Sequence, residues 1–189
     1  MLAAAVAAFV TIFLAEFGDK TQLVSMCMAA RYSPLQVLAG AMAALAMVIG
    51  FAVAVGGLLA AYIPHTLVTV LSGIIFIIIG IYNYLKKEEE TQECDNRNGF
   101  IQTMLLVFVA EFGDKTQVAA MLLTASLGYP AAVFGGAMLA MLCNHLIAVF
   151  LGSRVMAKLK PSLLKLGTAA LFIVIGLLIV IIEILPLQG

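Results

Sequence analysis

Long apolar runs, interrupted by short polar stretches, make up nearly the whole chain. A helix that crosses a membrane needs about 20 consecutive, mostly apolar residues. Runs of that length predict six transmembrane helices, at residues 2–29, 34–59, 64–85, 100–127, 130–152 and 162–184. Prolines stand near the start of several segments, where the first turn of a helix tolerates them. The pattern therefore predicts an all-α membrane protein.

The composition places the chain in a lipid bilayer. Hydrophobic residues make up 64% of its 189 residues, charged residues 11%, and the mean hydropathy is +1.16. Because soluble domains carry about 25% charged residues, this chain has too little polar surface to cover a soluble globule. An ordinary soluble enzyme and a disordered chain are excluded. The ten Lys and Arg residues balance ten Asp and Glu residues, which leaves no basic face for nucleic acid.

The chain contains the same unit twice. The string Glu-Phe-Gly-Asp-Lys-Thr-Gln at 16–22 recurs at 111–117, and several glycine, proline and phenylalanine positions downstream also recur. We therefore predict two three-helix repeats, at 1–85 and 100–189, joined by a mixed-charge cytoplasmic linker at 86–99. An odd number of spans per repeat places the second copy upside down, which is the plan of many secondary transporters.

The lysine and arginine residues predict the orientation of the chain. Outside the predicted spans they occur only in the first, third and fifth loops, at Arg31, Lys86, Lys87, Arg97, Arg154, Lys158, Lys160 and Lys165. Because cytoplasmic loops carry an excess of positive residues, these three loops are predicted to be cytoplasmic and both termini to lie outside.

Each copy of the repeated motif lies deep in an apolar segment. Residues 1–15 are apolar apart from Thr11, so the first motif is predicted about 20 Å from the outer end of its span, close to mid-bilayer. Charged side chains are costly at that depth and mark functional sites by default.

A buried ion pair is the structural alternative for these charges. It would join Glu16 to Lys20, and Glu111 to Lys115, one turn apart in each helix. Buried ion pairs are weak evidence for stability, and this interpretation leaves the second carboxylate of each motif without a role.

The motif carboxylates favour a site for a hard divalent cation. Glu16 and Asp19 are three residues apart and are predicted to share one helical face. Gly18 lets a second backbone approach or lets the helix open locally, and Thr21 and Gln22 add neutral oxygens. If the repeats bring the first and fourth segments together, four carboxylates converge in an oxygen cage of the kind that Ca²⁺, Mn²⁺ or Mg²⁺ prefers.

The charge of such a site suggests a mechanism. Four carboxylates and two lysines carry a net charge of −2, which one divalent cation or two protons would neutralise. A site of low dielectric is expected to hold one or the other. Competition between a metal ion and protons for one site is the simplest chemistry of cation/proton antiport.

Five further residues are weaker candidates. Two of them lie midway along the fifth segment, where the first repeat has Val48 and Ile49 instead. The histidine of this pair could relay protons, or both could bond a neighbouring helix as ordinary polar residues. The others follow the motifs by one to two turns, where a ligand role competes with packing. The five are Ser25, Met26, Met121, Asn144 and His145.

The doubled motif in a six-helix chain resembles the calcium/manganese:proton antiporter family, which includes the Golgi manganese/calcium transporter and bacterial MneA-type manganese exporters. The resemblance covers the whole chain. It implies export of Mn²⁺, or of Ca²⁺, in exchange for protons, with no further cofactor. The chain's size resembles the bacterial members, which implies the inner membrane and periplasmic termini. The metal ligands that the resemblance implies are Glu16, Asp19, Glu111 and Asp114. The supporting residues that it implies are Lys20, Thr21, Gln22, Lys115, Thr116 and Gln117.

Three other functions compete with cation exchange. An intramembrane, metal-dependent lipid-processing enzyme would suit paired carboxylates, but the motifs lie too deep for a lipid headgroup. A membrane scaffold would not require two identical charged motifs. A divalent-cation channel is the closest alternative, although inverted repeats with buried carboxylates favour alternating access. An oligomer is compatible with the sequence but nothing in it indicates one.

Overall fold

All the regular structure in the described part of the chain is helical. The computed structural model describes residues 1–85, 99–151 and 161–184, and within these ranges there is no strand. The all-α prediction is confirmed. The helices are α1 Leu2–Glu16, α2 Lys20–Ala29, α3 Pro34–Tyr62, α4 His65–Leu85, α5 Gly99–Glu111, α6 Lys115–Leu127, α7 Pro130–Leu146 and α8 Pro161–Ile184, with a π-helical turn at Ile147–Leu151 after α7. The linker predicted at 86–99 lies outside the described residues, apart from Gly99.

The first and fourth apolar segments are each broken at the repeated motif. Gly18 has a φ of 82° and Gly113 a φ of 78°, in the left-handed region that only glycine adopts at little cost. The chain therefore leaves the helix after each motif glutamate and enters a new helix at each motif lysine. The prediction of one continuous helix across each motif is wrong, and of the two roles considered for Gly18, local opening of the helix is the one observed. So is the shared helical face of Glu16 and Asp19, because Asp19 lies in the break between the two helices.

Within residues 1–85, 99–151 and 161–184, three helices are long and apolar enough to cross a membrane, at Pro34–Tyr62, His65–Tyr82 and Pro130–Phe150. Three shorter apolar helices of the described part lie at Leu2–Glu16, Gly99–Glu111 and Ala169–Glu183. The first two of these are the front halves of the broken segments, which shortens them below the length of a full span. The six-crossing arrangement therefore stays a prediction.

The first helix of each half packs against the long helix of the other half. In α3, a Cβ on Gly40 would collide with the Phe100 carbonyl of α5, and in α7 a Cβ on Gly136 would collide with the Ala5 carbonyl of α1. These glycines occupy equivalent places in the two copies of the motif-bearing unit. Both are required by the close approach of two backbones, of the kind that small residues allow between membrane helices.

Helices α4 and α8 pack against each other in opposite directions. Gly73 lies against Val180, and Gly80 lies against Ala169, so the contact moves backwards along α8 as α4 advances. At the centre of this contact the rings of Phe76 and Phe172 stack with centroids 5.6 Å apart. Both rings are fully buried and join the hydrophobic core, to which α3 contributes the most buried residues.

Many large apolar side chains face outward. The exposed ones occur on α1, α3, α4, α5, α7 and α8, and include Leu58, Ile78, Val109 and Ile182. An apolar outer surface around a core with buried carboxylates is the arrangement expected of a protein that lies in lipid.

Candidate metal centre at the broken helices

The two motif glutamates stand at the ends of the two broken helices. Glu16 is the last residue of α1 and Glu111 the last residue of α5, and both side chains are buried. The last carbonyls of a helix lack intrahelical partners and carry the negative end of the helix dipole. A buried carboxylate at that end is unfavourable by itself. Each glutamate therefore adds negative charge where only a cation can compensate it.

The two motif aspartates stand on the other side of each break. Asp19 precedes α2, and Asp114 is the residue at which α6 begins, with extended backbone at φ −82° and ψ 171°. The carbonyl of Asp114 accepts hydrogen bonds from the N–H groups of Gln117 and Val118. Its side chain makes no capping bond to the helix. The helix start thus fixes the backbone of Asp114, and its carboxylate, which does not cap the helix, lies 3.6 Å from the ammonium of Lys115.

Three of the four predicted ligands converge on one point. Glu16, Glu111 and Asp114 each offer an oxygen, and these oxygens all lie within 4.8 Å of one another. Two oxygens on opposite sides of a Ca²⁺ ion, each about 2.4 Å from it, are about 4.8 Å apart. The cluster therefore has the dimensions of a single divalent-cation site that both motifs contribute to.

The fourth predicted ligand is held by a lysine of the other motif. The ammonium of Lys115 forms an ion pair with Asp19 and lies 3.1 Å from Glu16 Oε1 and 3.6 Å from Asp114 Oδ2. Two of these contacts, with Asp19 and Glu16, cross between the motifs. The alternative in which Lys115 pairs with Glu111 within one helix does not describe them. A cationic group thus already occupies the middle of the carboxylates. The side chain of Lys20, the equivalent lysine, lies outside the described part.

A threonine also crosses between the motifs. The hydroxyl of Thr116 donates a hydrogen bond to Glu16 Oε1, the same oxygen that faces Lys115. The other oxygen, Oε2, is buried and has no hydrogen-bond partner among the described residues. The equivalent Thr21 is buried, and its hydroxyl also lacks a hydrogen-bond partner there. One glutamate oxygen is therefore held by the protein, and the second remains available to a ligand.

The motif glutamines hold the breaks together. Gln22 Oε1 accepts the N–H of Gly18 at 2.8 Å, and Gln117 Oε1 accepts the N–H of Gly113 at 2.7 Å. These glycine amides would otherwise lack a partner where the helix is interrupted. The supporting role expected of the glutamines therefore takes the form of stabilising the break, and their oxygens face a backbone amide.

The weaker candidates divide into two groups. Ser25 is fully buried, and its hydroxyl has no hydrogen-bond partner in the described part of the chain, whereas Met26 is only partly buried. Met121 lines an apolar cavity of about 220 Å³ between α3 and α6, together with Gln117. Asn144 and His145 are fully buried at the end of α7, immediately before the π-helical turn.

Sequence reasoning did not anticipate the pairing of Lys115 with the first motif. The i, i+4 spacing pointed to a bond within one helix, and the glycine at the centre of each motif was the signal against it. The sequence also did not predict which backbone carbonyls bond Asn144 and His145 of α7. These are the carbonyls of Phe13 and Met141. No residue type marks a backbone acceptor, so the sequence carried no signal for them.

Comparison with known proteins shows the family to which the chain belongs. The family model described as the divalent cation/proton antiporter GDT1 matches residues 4–91 and 99–185. The chain is 32% identical over 170 residues to a Vibrio cholerae protein named "Putative manganese exporter", covering 88% of this chain and 85% of that one.

Two further relatives carry the family's name. The chain is 27% identical over 195 residues to the GDT1-like protein sll0615 of Synechocystis, covering 91% of this chain and 94% of that one. It is 26% identical over 224 residues to the GDT1-like protein C17G8.08c of Schizosaccharomyces pombe, covering 88% and 78%. No solved structure matches the chain. The chain belongs to the GDT1 family of divalent cation/proton antiporters, membrane proteins that transport divalent cations.

Proposed function

We propose that this protein exports Mn²⁺ from the cell in exchange for protons, and that Ca²⁺ is a second possible cargo. The observation that carries the proposal is the convergence of Glu16, Glu111 and Asp114 within 4.8 Å. Mn²⁺ and Ca²⁺ both prefer carboxylate oxygens, and neither the charge nor the size of the cluster separates them. The name of the Vibrio cholerae relative favours manganese.

Exchange with protons follows from the charge of the site. With both lysines charged and all four carboxylates ionised, the centre carries −2, a charge that a buried site does not keep uncompensated. A divalent cation restores neutrality, and so do two protons on the carboxylates. Binding of one therefore displaces the other, and transport of the metal in one direction moves protons in the opposite one.

Lys115 is the residue that the incoming ion must displace. Its ammonium faces Asp19, Glu16 and Asp114, carboxylates on which a divalent cation would also draw. When the ion binds, the lysine gives up its contacts with Glu16 and Asp114 and keeps its ion pair with Asp19. When the ion leaves, these contacts form again, and protons on the carboxylates neutralise the remaining charge.

Alternating access requires the two halves to move against each other. We propose six crossings in two inverted repeats, in the inner membrane of a bacterium, with both termini in the periplasm. The opposite directions of α4 and α8 support the inversion. Helices α1 and α7 run parallel, since Ala5 lies against Gly136 and Phe13 against Asn144, and this agrees with the same arrangement. The two motifs lie where the halves meet.

Flux in liposomes tests the proposal. Purified protein is reconstituted, and uptake of Mn²⁺ and of Ca²⁺ is measured with and without a pH gradient. We expect Mn²⁺ movement driven by the gradient, and at least a tenfold loss in Glu16→Gln and Asp114→Asn. Glu183→Gln is the matched control, because Glu183 is an acidic residue of α8 whose neighbour is His65, at 4.0 Å, away from the motifs.

Other outcomes separate the competing functions. Mn²⁺ flux that ignores the pH gradient would indicate a channel. Gradient-driven flux of Ca²⁺ alone would preserve the exchange mechanism and change the cargo. Absence of flux of either ion through folded protein would contradict the transport proposal altogether.

A further inference from the structure

Two buried polar residues of α7 each have one acceptor atom without a hydrogen-bond partner among the described residues. Asn144 and His145 are fully buried, with 0% of each side chain exposed. Asn144 Nδ2 donates to the Phe13 carbonyl at 3.1 Å, and His145 Nδ1 bonds the Met141 carbonyl at 2.9 Å. Asn144 Oδ1 and His145 Nε2 have no hydrogen-bond partner among the described residues. In both residues the donor nitrogen bonds a backbone carbonyl, and the acceptor atom is left for a ligand.

The bond to Met141 decides the tautomer of the imidazole. A carbonyl oxygen only accepts hydrogen bonds, so Nδ1 carries the proton, and in the neutral ring Nε2 presents a lone pair. Histidines that bind metals almost always donate their other ring N–H to a carbonyl or carboxylate in this manner, which fixes the ring's orientation. His145 therefore makes the same Nδ1–H bond to a carbonyl that metal-binding histidines make, and its Nε2 is the atom that could bind a metal.

The pair lies where α7 contacts α1, near the end of α1 that carries Glu16. Asn144 bonds the carbonyl of Phe13, one turn before Glu16 in α1. Glu16 Oε2 is itself buried without a hydrogen-bond partner among these residues. Acceptor atoms from α1 and α7 are thus left unbonded in the same part of the core, where unbonded polar atoms are costly unless a ligand uses them.

The other half of the protein has no such pair. The equivalent positions in α3 are Val48 and Ile49, which are buried and apolar. The motifs are identical, so this difference is not explained by the carboxylate site. The π-helical turn that follows His145 also breaks the equivalence, and such turns often occur at functional sites.

We propose that Asn144 and His145 form a neutral donor pair that binds the transported ion beside Glu16, and that the imidazole makes the site prefer Mn²⁺ over Ca²⁺. This inference rests on the proposed function. Ca²⁺ takes oxygen ligands almost exclusively, whereas first-row transition metals also accept imidazole nitrogen. A site of carboxylates alone does not distinguish the two ions by donor type. One nitrogen ligand supplies that distinction.

Electron paramagnetic resonance of bound Mn²⁺ tests this contact directly. Tag-free protein labelled with ¹⁵N-histidine is purified in detergent and loaded with Mn²⁺ alone. The chain has two histidines, so His65→Gln leaves His145 as the sole labelled residue. We expect ¹⁵N coupling to Mn²⁺ in the wild type and in His65→Gln. We expect none in His145→Gln, which keeps an amide oxygen at the position.

Transport provides the second readout. In liposomes, we expect His145→Gln to lower the ratio of Mn²⁺ to Ca²⁺ flux at least tenfold, and His65→Gln to leave this ratio unchanged. If Mn²⁺ binds to His65→Gln and shows no ¹⁵N coupling, this inference is overturned and the proposed exchange function still stands. Coupling that persists in His145→Gln would overturn it as well. Failure of the wild type to bind or move Mn²⁺ would overturn the proposed function and this inference together.

Discussion

Lys115 of the second motif forms its ion pair with Asp19 of the first motif, 96 positions earlier in the chain. The contact joins the two halves at the point where both broken segments meet. It places a positive side chain among carboxylates that would otherwise repel one another. The carboxylate cluster is therefore a shared structure, and neither half contains it alone.

Removing the charge of Lys115 should separate binding from transport. In Lys115→Gln the carboxylates lose a competing cation, so we expect Mn²⁺ binding to be retained or tightened. Release is then slowed, and Mn²⁺ flux in liposomes should fall at least tenfold. Calorimetric binding and flux are measured on the same preparation, with Lys115→Arg as the charge-preserving control. Loss of binding together with flux would show that the lysine does not act as a competitor.

The glutamine bonds across the breaks should contribute unequally to stability. Gln22 is 1% exposed, whereas Gln117 is less buried and its bond to Gly113 is exposed. Replacing Gln22 by Met leaves a part-buried Gly18 amide without its acceptor, which costs about 1–3 kcal/mol. We expect Gln22→Met to lower the thermal unfolding temperature in detergent more than Gln117→Met does. The reverse order would contradict the role assigned to burial.

The left-handed glycine of the second break gives a clean conformational test. A Cβ at Gly113 would meet nothing within 4 Å, so the expected cost of Gly113→Ala is the backbone strain alone, about 1–2 kcal/mol. Gly113→Asn should cost less, since asparagine tolerates this conformation. Gly135, which lies in α7 with equally open surroundings, is the matched control. Its replacement by Ala should leave the unfolding temperature unchanged or raise it. Equal losses at both glycines would indicate that strain is not the cause.

The predicted orientation is testable with the native cysteines. Cys94 lies in the linker that the charge pattern assigns to the cytoplasm. A membrane-impermeant maleimide should therefore label it only after the cells are permeabilised. In a Cys94→Ser background, Ile63→Cys, between α3 and α4, should be labelled in cells with an intact inner membrane. Labelling of Cys94 without permeabilisation would invert the proposed topology.

The sequence predicted most of the helices and a candidate site, because both predictions depend on local features. Apolar length predicts the helices, and charged residues inside apolar segments mark the site whatever the detailed packing. The repeated string also predicted that ligands would come from both halves. Glu16, Glu111 and Asp114 do lie together, although the ligand assignment itself stays a prediction.

The geometry at the two helix breaks could not be predicted from the sequence. Apolar residues continue on both sides of Gly18. The hydropathy pattern therefore predicts one long segment, where the chain in fact forms two helices. The position of Lys115 depends on how two breaks face each other, which is a property of packing between distant segments. The same holds for His145, whose orientation is set by a backbone carbonyl that no pattern of side chains reveals.

Proton release on metal binding tests the central claim most directly. Purified protein in weakly buffered detergent solution is titrated with Mn²⁺ while the pH is recorded, beside Glu16→Gln with Glu183→Gln as the control. If the metal and protons compete for the motif carboxylates, each Mn²⁺ bound should release up to about two protons, and binding should weaken as the pH falls. Glu16→Gln should release fewer. Tight Mn²⁺ binding that releases no protons, with an affinity independent of pH, would contradict the account.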